Sequence, residues 1–263
     1  MLVRVIEEIE KSNPWYVGSQ FEWAEKASIR PIYEKRYEYF IECIERAKTR
    51  LGPRLRLLDA GCGDGYWLYR LSALKDLRLY GVDYNPLRVE RAKQVVPTAS
   101  ISCSDLMCFE VEEPFDVILL SQVIEHVEDD IGLLHRMQKV LRSSGVLVLG
   151  APNEGSWLHQ WRNRRTRKRS KTDHVHSYTE KQVRRKLMDA GFCIDSIMRE
   201  VFYIGSERLC YWLTERSWGF QFLSIMTRLW PSECSDFYFE CSHLKGQDEK
   251  DGKQRSAIGR NSV

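Results

Sequence analysis

The chain has 263 residues, 43% of them hydrophobic and 29% charged, with a formal net charge of +3. That length suits one catalytic domain with additions rather than two full domains of about 150 residues each. The charge is too small to imply nucleic acid by itself, no apolar run approaches the ~20 residues that span a bilayer, and the scattered cysteines lack both a C-x-x-C pair and zinc-site spacing. The N-terminal MLVRVIEEIEK is acidic rather than basic-then-apolar, so a cytoplasmic protein without a secretory leader is expected.

Residues 1–48 read as an N-terminal helical cap, with Pro31 dividing two helices. Tyr33, Tyr37, Tyr39 and Phe40 are expected to pack an amphipathic face onto the core and are assigned no role. From Arg54 to Ala151 apolar strands alternate with helices, the pattern of a doubly wound, parallel α/β sheet. Its first strand ends in LLDAGCGDGYW, Leu57 to Trp67, where Asp59 leaves the strand. Gly61, Gly63 and Gly65 then permit a tight turn that a ligand can approach closely. A dinucleotide turn, G-x-G-x-x-G, needs glycine where Tyr66 stands, so NAD is not expected.

Downstream, YGVDYNP places Asp83 at the end of a second strand, at the roughly 20-residue distance of an acid that reads ribose. CSDLM, with Asp105 and Leu106, ends a third strand, and FDVILLSQVIEHV carries Ser121, Glu125 and His126 at the end of a fourth. SSGVLVLGAPN supplies a fifth. Residues 152–178 read as a basic loop, in which WRNRRTRKRSK packs seven Lys or Arg into eleven positions. Such a run is a solvated segment, or else an anion-binding lid for a phosphate-bearing sugar, lipid head group or RNA. Thr179 caps a helix that Gly191 ends, before a strand from Phe192 to Val201. Residues 203–235, rich in Trp, Phe and Leu, form a helical insertion that either packs on its own domain or meets lipid. DFYFECSHL is the last strand, and the tail 246–263 has no apolar periodicity and is expected to be disordered.

Taken in this order, Asp59, the three glycines, Asp83, Asp105 and the Glu125–His126 segment resemble the class I S-adenosylmethionine-dependent methyltransferases. Within them, the likeness is to the small-molecule enzymes of ubiquinone-pathway type. The resemblance implies a Rossmann-like seven-stranded, mostly parallel sheet with an antiparallel last strand, over a catalytic domain of residues 49–245. It also implies S-adenosyl-L-methionine bound by Asp59, Gly61, Gly63, Gly65, Asp83, Asp105, Leu106 and Ser121, with the ribose on Asp83 and the adenine beside Asp105. His126 becomes the candidate general base, with Glu125 beside it.

In relatives with an E-x-x-E-H segment those residues bind a divalent metal, but here Gln122 replaces the first acid and no metal is expected. His174 and His176 are read as hydrogen-bonded loop anchors. The leading function is O-methylation of a small molecule: a quinone precursor, a sugar or a lipid. The alternatives are an RNA 2′-O-methyltransferase using residues 161–171 and a non-catalytic cofactor-fold partner, against which the intact acids and glycines argue.

Overall fold

The computed structural model describes residues 18–166 and 174–244. The first seventeen residues of the expected cap, residues 167–173 of the expected basic loop and the expected disordered tail lie outside them. No helix among the described residues is long and apolar enough to cross a membrane.

A short helix α1 (Gln20–Ala24) is capped by the Ser19 hydroxyl, which accepts from the Glu22 N–H. It is followed by the long α2 (Arg30–Leu51), where Pro31 sits in the first turn and Gly52, at φ +96°, ends it. Proline is tolerated there because its missing N–H would have had no helical partner. The strands β1 (Leu55–Ala60) and β2 (Leu77–Asp83) flank α3 (Tyr66–Leu71). Helix α4 (Pro86–Val95) begins at Asn85, whose side chain accepts from the Leu87 and Arg88 N–H groups, and leads to β3 (Ser100–Cys103). Strand β4 (Phe115–Ser121), a one-turn 3₁₀ segment (Ile124–His126) and α5 (Asp130–Val140) follow, then the long β5 (Leu141–Pro152).

The expected basic loop is partly helical, because Trp157–Thr166 forms α6. Its first turn is held by Leu158 N–H donating to the Glu233 carboxylate at 2.9 Å, a contact from the distant insertion that no local signal announces. Helix α7 (Glu180–Asp189) has the capping box that Thr179 and Gln182 build. Strand β6 (Phe192–Arg199), α8 (Glu207–Thr214), α9 (Ser217–Leu229) and β7 (Asp236–His243) complete the chain.

The seven strands form one sheet in the order β3-β2-β1-β4-β5-β7-β6. Strands β1 to β5 are parallel, and β7 runs antiparallel between β5 and β6. The order reverses between β1 and β4, and ligands of such sheets bind at that switch point, beyond the carboxyl ends of the strands. Both faces of the central strands are buried, as their continuous apolar runs require. One layer packs α5 and α7 on the sheet, and the other packs α2 and α3 through Phe40, Ile44, Leu68 and Leu71. A smaller cluster of Ile32, Val201, Leu213 and Leu223 fastens the α8–α9 insertion to α2.

Charged side chains tie α2 to the β6–β7 edge of the sheet. Arg36 pairs with Glu200 and reaches Asp236 at 3.5 Å, and Arg46 pairs with Glu240 at 2.8 Å. Lys35 donates to the carbonyls of Arg199 and Glu200 at 2.8 and 2.7 Å.

Candidate active site

The glycine turn after β1 is held by its neighbours. Gly61 and Cys62 donate N–H bonds to the Val82 carbonyl at 2.7 and 3.1 Å, and Gly63 donates to Asp83 Oδ2 at 2.8 Å. Gly61, Gly63 and Gly65 all have left-handed φ, at +81°, +53° and +82°. A methyl group on Gly61 would collide with Val123, and one on Gly63 would press on Gln20 Oε1 at 3.0 Å. These positions therefore admit only glycine without strain.

Asp64, inside the turn, accepts from the Gln20 N–H at 2.7 Å and from Arg88 Nε at 3.3 Å, which draws α1 over the turn. The result is a cavity of about 510 Å³ between the strand ends, α1, α2 and α8. A larger open groove of about 1000 Å³ runs between α2, β6 and α9, but none of the glycine-turn residues lines it.

The expected site residues divide into three sets. Gly61, Gly63, Ser121, Glu125 and His126 line the cavity together. Asp59, Gly65 and Asp83 stand behind the turn rather than in its wall: Asp59 and Asp83 are buried, and Gly65 caps α3. Asp83 uses its other oxygen to accept the Asn85 N–H at 2.9 Å, leaving lone pairs for further donors. The third set lies apart, since Leu106 packs in the core and Asp105 is exposed, accepting the Met107 N–H at 2.8 Å.

Burial raises the Asp83 carboxyl above its ordinary range, opposed by the Asn85 and Gly63 N–H groups. Asp59 is pushed up to about 8 by burial, with the Asp83 charge adding to the effect. Its Oδ2 is buried with no hydrogen-bond partner among the described residues, and a donor on a bound polar ligand would satisfy it.

This carboxyl has a consequence for stability. Its folded pKa of about 8 exceeds the ordinary 3.8, so the native state retains a proton that the unfolded chain releases. The stabilisation is complete below about pH 4 and is lost as pH rises towards 8, at up to about 1.4 kcal/mol per unit. Urea unfolding of the ligand-free protein at pH 5, 6 and 7 is expected to show a decline that Asp59 shares with the buried Glu125 and Glu200 carboxyls, and Asp59→Asn to make it shallower. An unchanged slope in the variant would show that water reaches the Asp59 carboxylate.

At the β4 end, Gln122 adopts the left-handed region at φ +58°, unusual for a residue with a side chain and frequent at functional sites. Its N–H donates to the Gly150 carbonyl at 2.9 Å. Gly150 leaves room for Tyr238, whose hydroxyl lies 2.9 Å from Ser121 Oγ. Glu125 is buried and pushed up to about 8 by desolvation, which the neighbouring His126 opposes. The His126 and His174 rings meet edge to face at 4.7 Å, and His174 Nδ1 lies 3.1 Å from Glu154 Oε2.

His174, held to Glu154, also lines the cavity, and the His176 backbone N–H donates to the Glu125 carbonyl while its Nε2 lies 3.2 Å from the Glu128 carbonyl. Ligand atoms of Glu125, His126 and His174 all fall within 4.8 Å of one another. One carboxylate and two imidazoles are a donor set that suits a transition metal better than Mg²⁺.

Other wall residues escaped the sequence motifs. Tyr33, stacked on Trp67 at 5.3 Å, lines the cavity, whereas Tyr39 and Phe40 pack in the core and the Tyr37 hydroxyl bonds the Arg70 carbonyl. His159 stacks on Tyr203 at 3.6 Å, and burial pushes its pKa down to about 4. Arg36, Glu154, Glu200 and Tyr211 complete the far wall.

Residues 32–197 match the family described as a methyltransferase domain. Among curated proteins, the chain is 32% identical over 108 residues to a probable S-adenosylmethionine-dependent methyltransferase of Mycobacterium tuberculosis, covering 40% of this chain and 39% of that one. It is 35% identical over 104 residues to a ubiquinone biosynthesis O-methyltransferase of Nitrobacter winogradskyi, covering 38% and 39%. It is 32% identical over 126 residues to a 27-O-demethylrifamycin SV methyltransferase of Amycolatopsis mediterranei, covering 41% and 46%. Each match spans less than half of the relative's length. The fold is shared with the N-methyltransferase NodS of Bradyrhizobium japonicum, solved with S-adenosylhomocysteine, at TM-score 0.59 and 17% identity over 91% of this chain and 97% of that one. With the glycine turn, the seven-stranded sheet and a match over more than half its length, the chain belongs to the methyltransferase-domain family, within the class I S-adenosylmethionine-dependent methyltransferases.

Proposed function

We propose that the protein transfers the methyl group of S-adenosyl-L-methionine to a hydroxyl oxygen of a small molecule, with His126 as general base. The observation that carries this reading is that His126 lines the same cavity as Gly61, Gly63 and Ser121. The glycine turn admits a ligand where a Cβ would obstruct it, and behind it Asp59 Oδ2 has no partner among the described residues while Asp83 accepts one N–H on each oxygen and can accept more. Gly61, Gly63, Asp83 and Ser121 would hold the cofactor, with Asp59 beneath them.

The cofactor supplies an electrophilic methyl on a good leaving group, so the protein's share is to orient the acceptor and exclude water. Trp23, Tyr33 and Tyr211 form aromatic walls suited to both. The bound cofactor would supply the methyl and keep the C–S electron pair with its leaving sulfur, while the His126 imidazole would accept the proton that the acceptor hydroxyl gives up. Glu154 positions His174, whose edge packs against His126 and limits its rotation. The names of the Nitrobacter and Amycolatopsis relatives support an oxygen acceptor. The acceptor's own class, be it quinone precursor, sugar or lipid, and a cytoplasmic location are parts of the same proposal.

A second reading has one observation in its favour: the convergence of Glu125, His126 and His174 as metal donors. Under it His126 is a ligand, and the base must lie elsewhere. Calorimetric titration with S-adenosylhomocysteine, then with Zn²⁺ or Mg²⁺, separates the two. The metal-free reading requires cofactor binding without metal and turnover that survives chelation.

Asp83→Ala removes a charged acceptor that also holds the Gly63 N–H, and should weaken S-adenosylhomocysteine binding by about 1.5–3 kcal/mol. Unchanged affinity would remove Asp83 from the site.

A further inference from the structure

Helix α9 is apolar on two faces. Leu223 and Thr227 point inward, and Leu223 is fully enclosed. Trp218, Phe222, Ile225 and Leu229, spaced four, three and four residues apart, form an outward stripe in which each side chain is 47–70% exposed. The stripe continues onto α8 through Trp212, whose ring meets that of Trp218 at 5.9 Å, and through Leu209. Monomeric proteins rarely leave so continuous an apolar surface in water unless something covers it.

The rim of this face is basic. Arg208 and Arg228 are exposed beside it, and the Arg216 guanidinium lies over the Trp212 ring at 4.1 Å. Helix α6 borders it, joined to α8 by the Arg162–Glu207 ion pair, and adds exposed Trp157, Trp161, Arg164 and Arg165. Of the acids on and next to α8, Glu207 pairs with Arg162 and Glu215 lies 3.9 Å from Arg216, whereas Glu38 and Glu42 of α2 share the groove that Arg228 lines on the other flank.

We propose that the outward face of α8 and α9 docks on an anionic lipid bilayer. Tryptophan suits the bilayer interface, where an apolar ring and a polar N–H are both satisfied, and arginine rims pair with anionic head groups. A symmetric contact with a second copy would set this basic rim against itself, a like-charge clash that a bilayer does not impose. Docking would bring the cavity close to the membrane, because the other side of α8 lines it through Cys210, Tyr211 and Thr214. Delivery of a lipid-borne acceptor rests on the proposed methyl transfer, but the docking does not.

The test is flotation of the full chain with phosphatidylcholine vesicles, with and without phosphatidylglycerol, read alongside tryptophan emission. Binding with a blue shift is expected on the anionic vesicles, weakening as salt rises. Phe222→Glu combined with Ile225→Glu should weaken it by about tenfold or more, since two exposed apolar anchors become charged. An unchanged melting curve establishes that this double variant is folded. Absence of flotation by the parent chain, or equal flotation by the double variant, overturns the proposal. So does a dimer that the double variant disperses without any vesicle binding, which would assign the face to a second copy. Loss of S-adenosylhomocysteine binding with flotation intact would sink the methyl-transfer reading and leave this one standing.

Discussion

His126→Ala is expected to lower kcat by about 10²- to 10⁴-fold, the range over which a positioned general base contributes, while S-adenosylhomocysteine binds nearly as before. The separation follows from placement, because His126 lies at the end of β4 and the glycine turn at the end of β1. Single-turnover methyl transfer, once an acceptor is found, reads the chemical step directly. Glu154→Gln should lower kcat less, since Glu154 reaches His126 only through His174. A His126→Ala protein that keeps kcat within about threefold would show that the acceptor loses its proton to another group. If instead bound metal is lost in step with kcat, the donor cluster of Glu125, His126 and His174 is a ligand set.

The largest effect on stability is expected at the buried pair of Arg36 and Glu200. Burial pushes the Glu200 carboxyl up to about 8, offset in part by the Arg36 guanidinium. Removing one partner leaves a charge without its main counterpart in the interior, so Glu200→Ala should cost about 3 kcal/mol or more. For a chain of this size that lowers Tm by roughly 6–12 °C. Asp236, 3.5 Å from Arg36, retains part of the pairing and places the cost at the lower end of the range.

Joint replacement, Arg36→Met with Glu200→Leu, is expected to recover much of the loss because neither buried charge is then left over. Urea unfolding of the three proteins checks this. A single variant costing under about 1 kcal/mol would mean that water reaches the pair and that it contributes like a surface bridge. Both residues line the cavity, so the double variant also reports whether the far wall selects the acceptor.

The sheet and its cofactor turn were legible in the sequence because their signals are local. Apolar runs mark strands buried on both faces, left-handed φ values call for Gly61, Gly63 and Gly65, and Thr179 and Gln182 carry their own capping box. Asp83 could be placed from its distance to the turn, and β7 from the resemblance to the family. The far wall carried no such signal. Tyr33, Glu154, His159, His174, Glu200 and Tyr211 come from separate parts of the chain and meet only because α2, the β5–α7 connection and the insertion converge on the switch point.

The helical α6 within a basic run was missed for a similar reason, since its first turn is held by Glu233 from across the fold. Periodicity could show that 217–229 is an apolar helix, but a helix apolar on two faces gives no local sign of which one packs. That was decided by Ile32 and Val201, which cover Leu223 and leave Trp218, Phe222, Ile225 and Leu229 in water. Backbone conformation is set by neighbours in sequence, whereas a cavity wall or an uncovered face depends on which distant surfaces the completed sheet brings together.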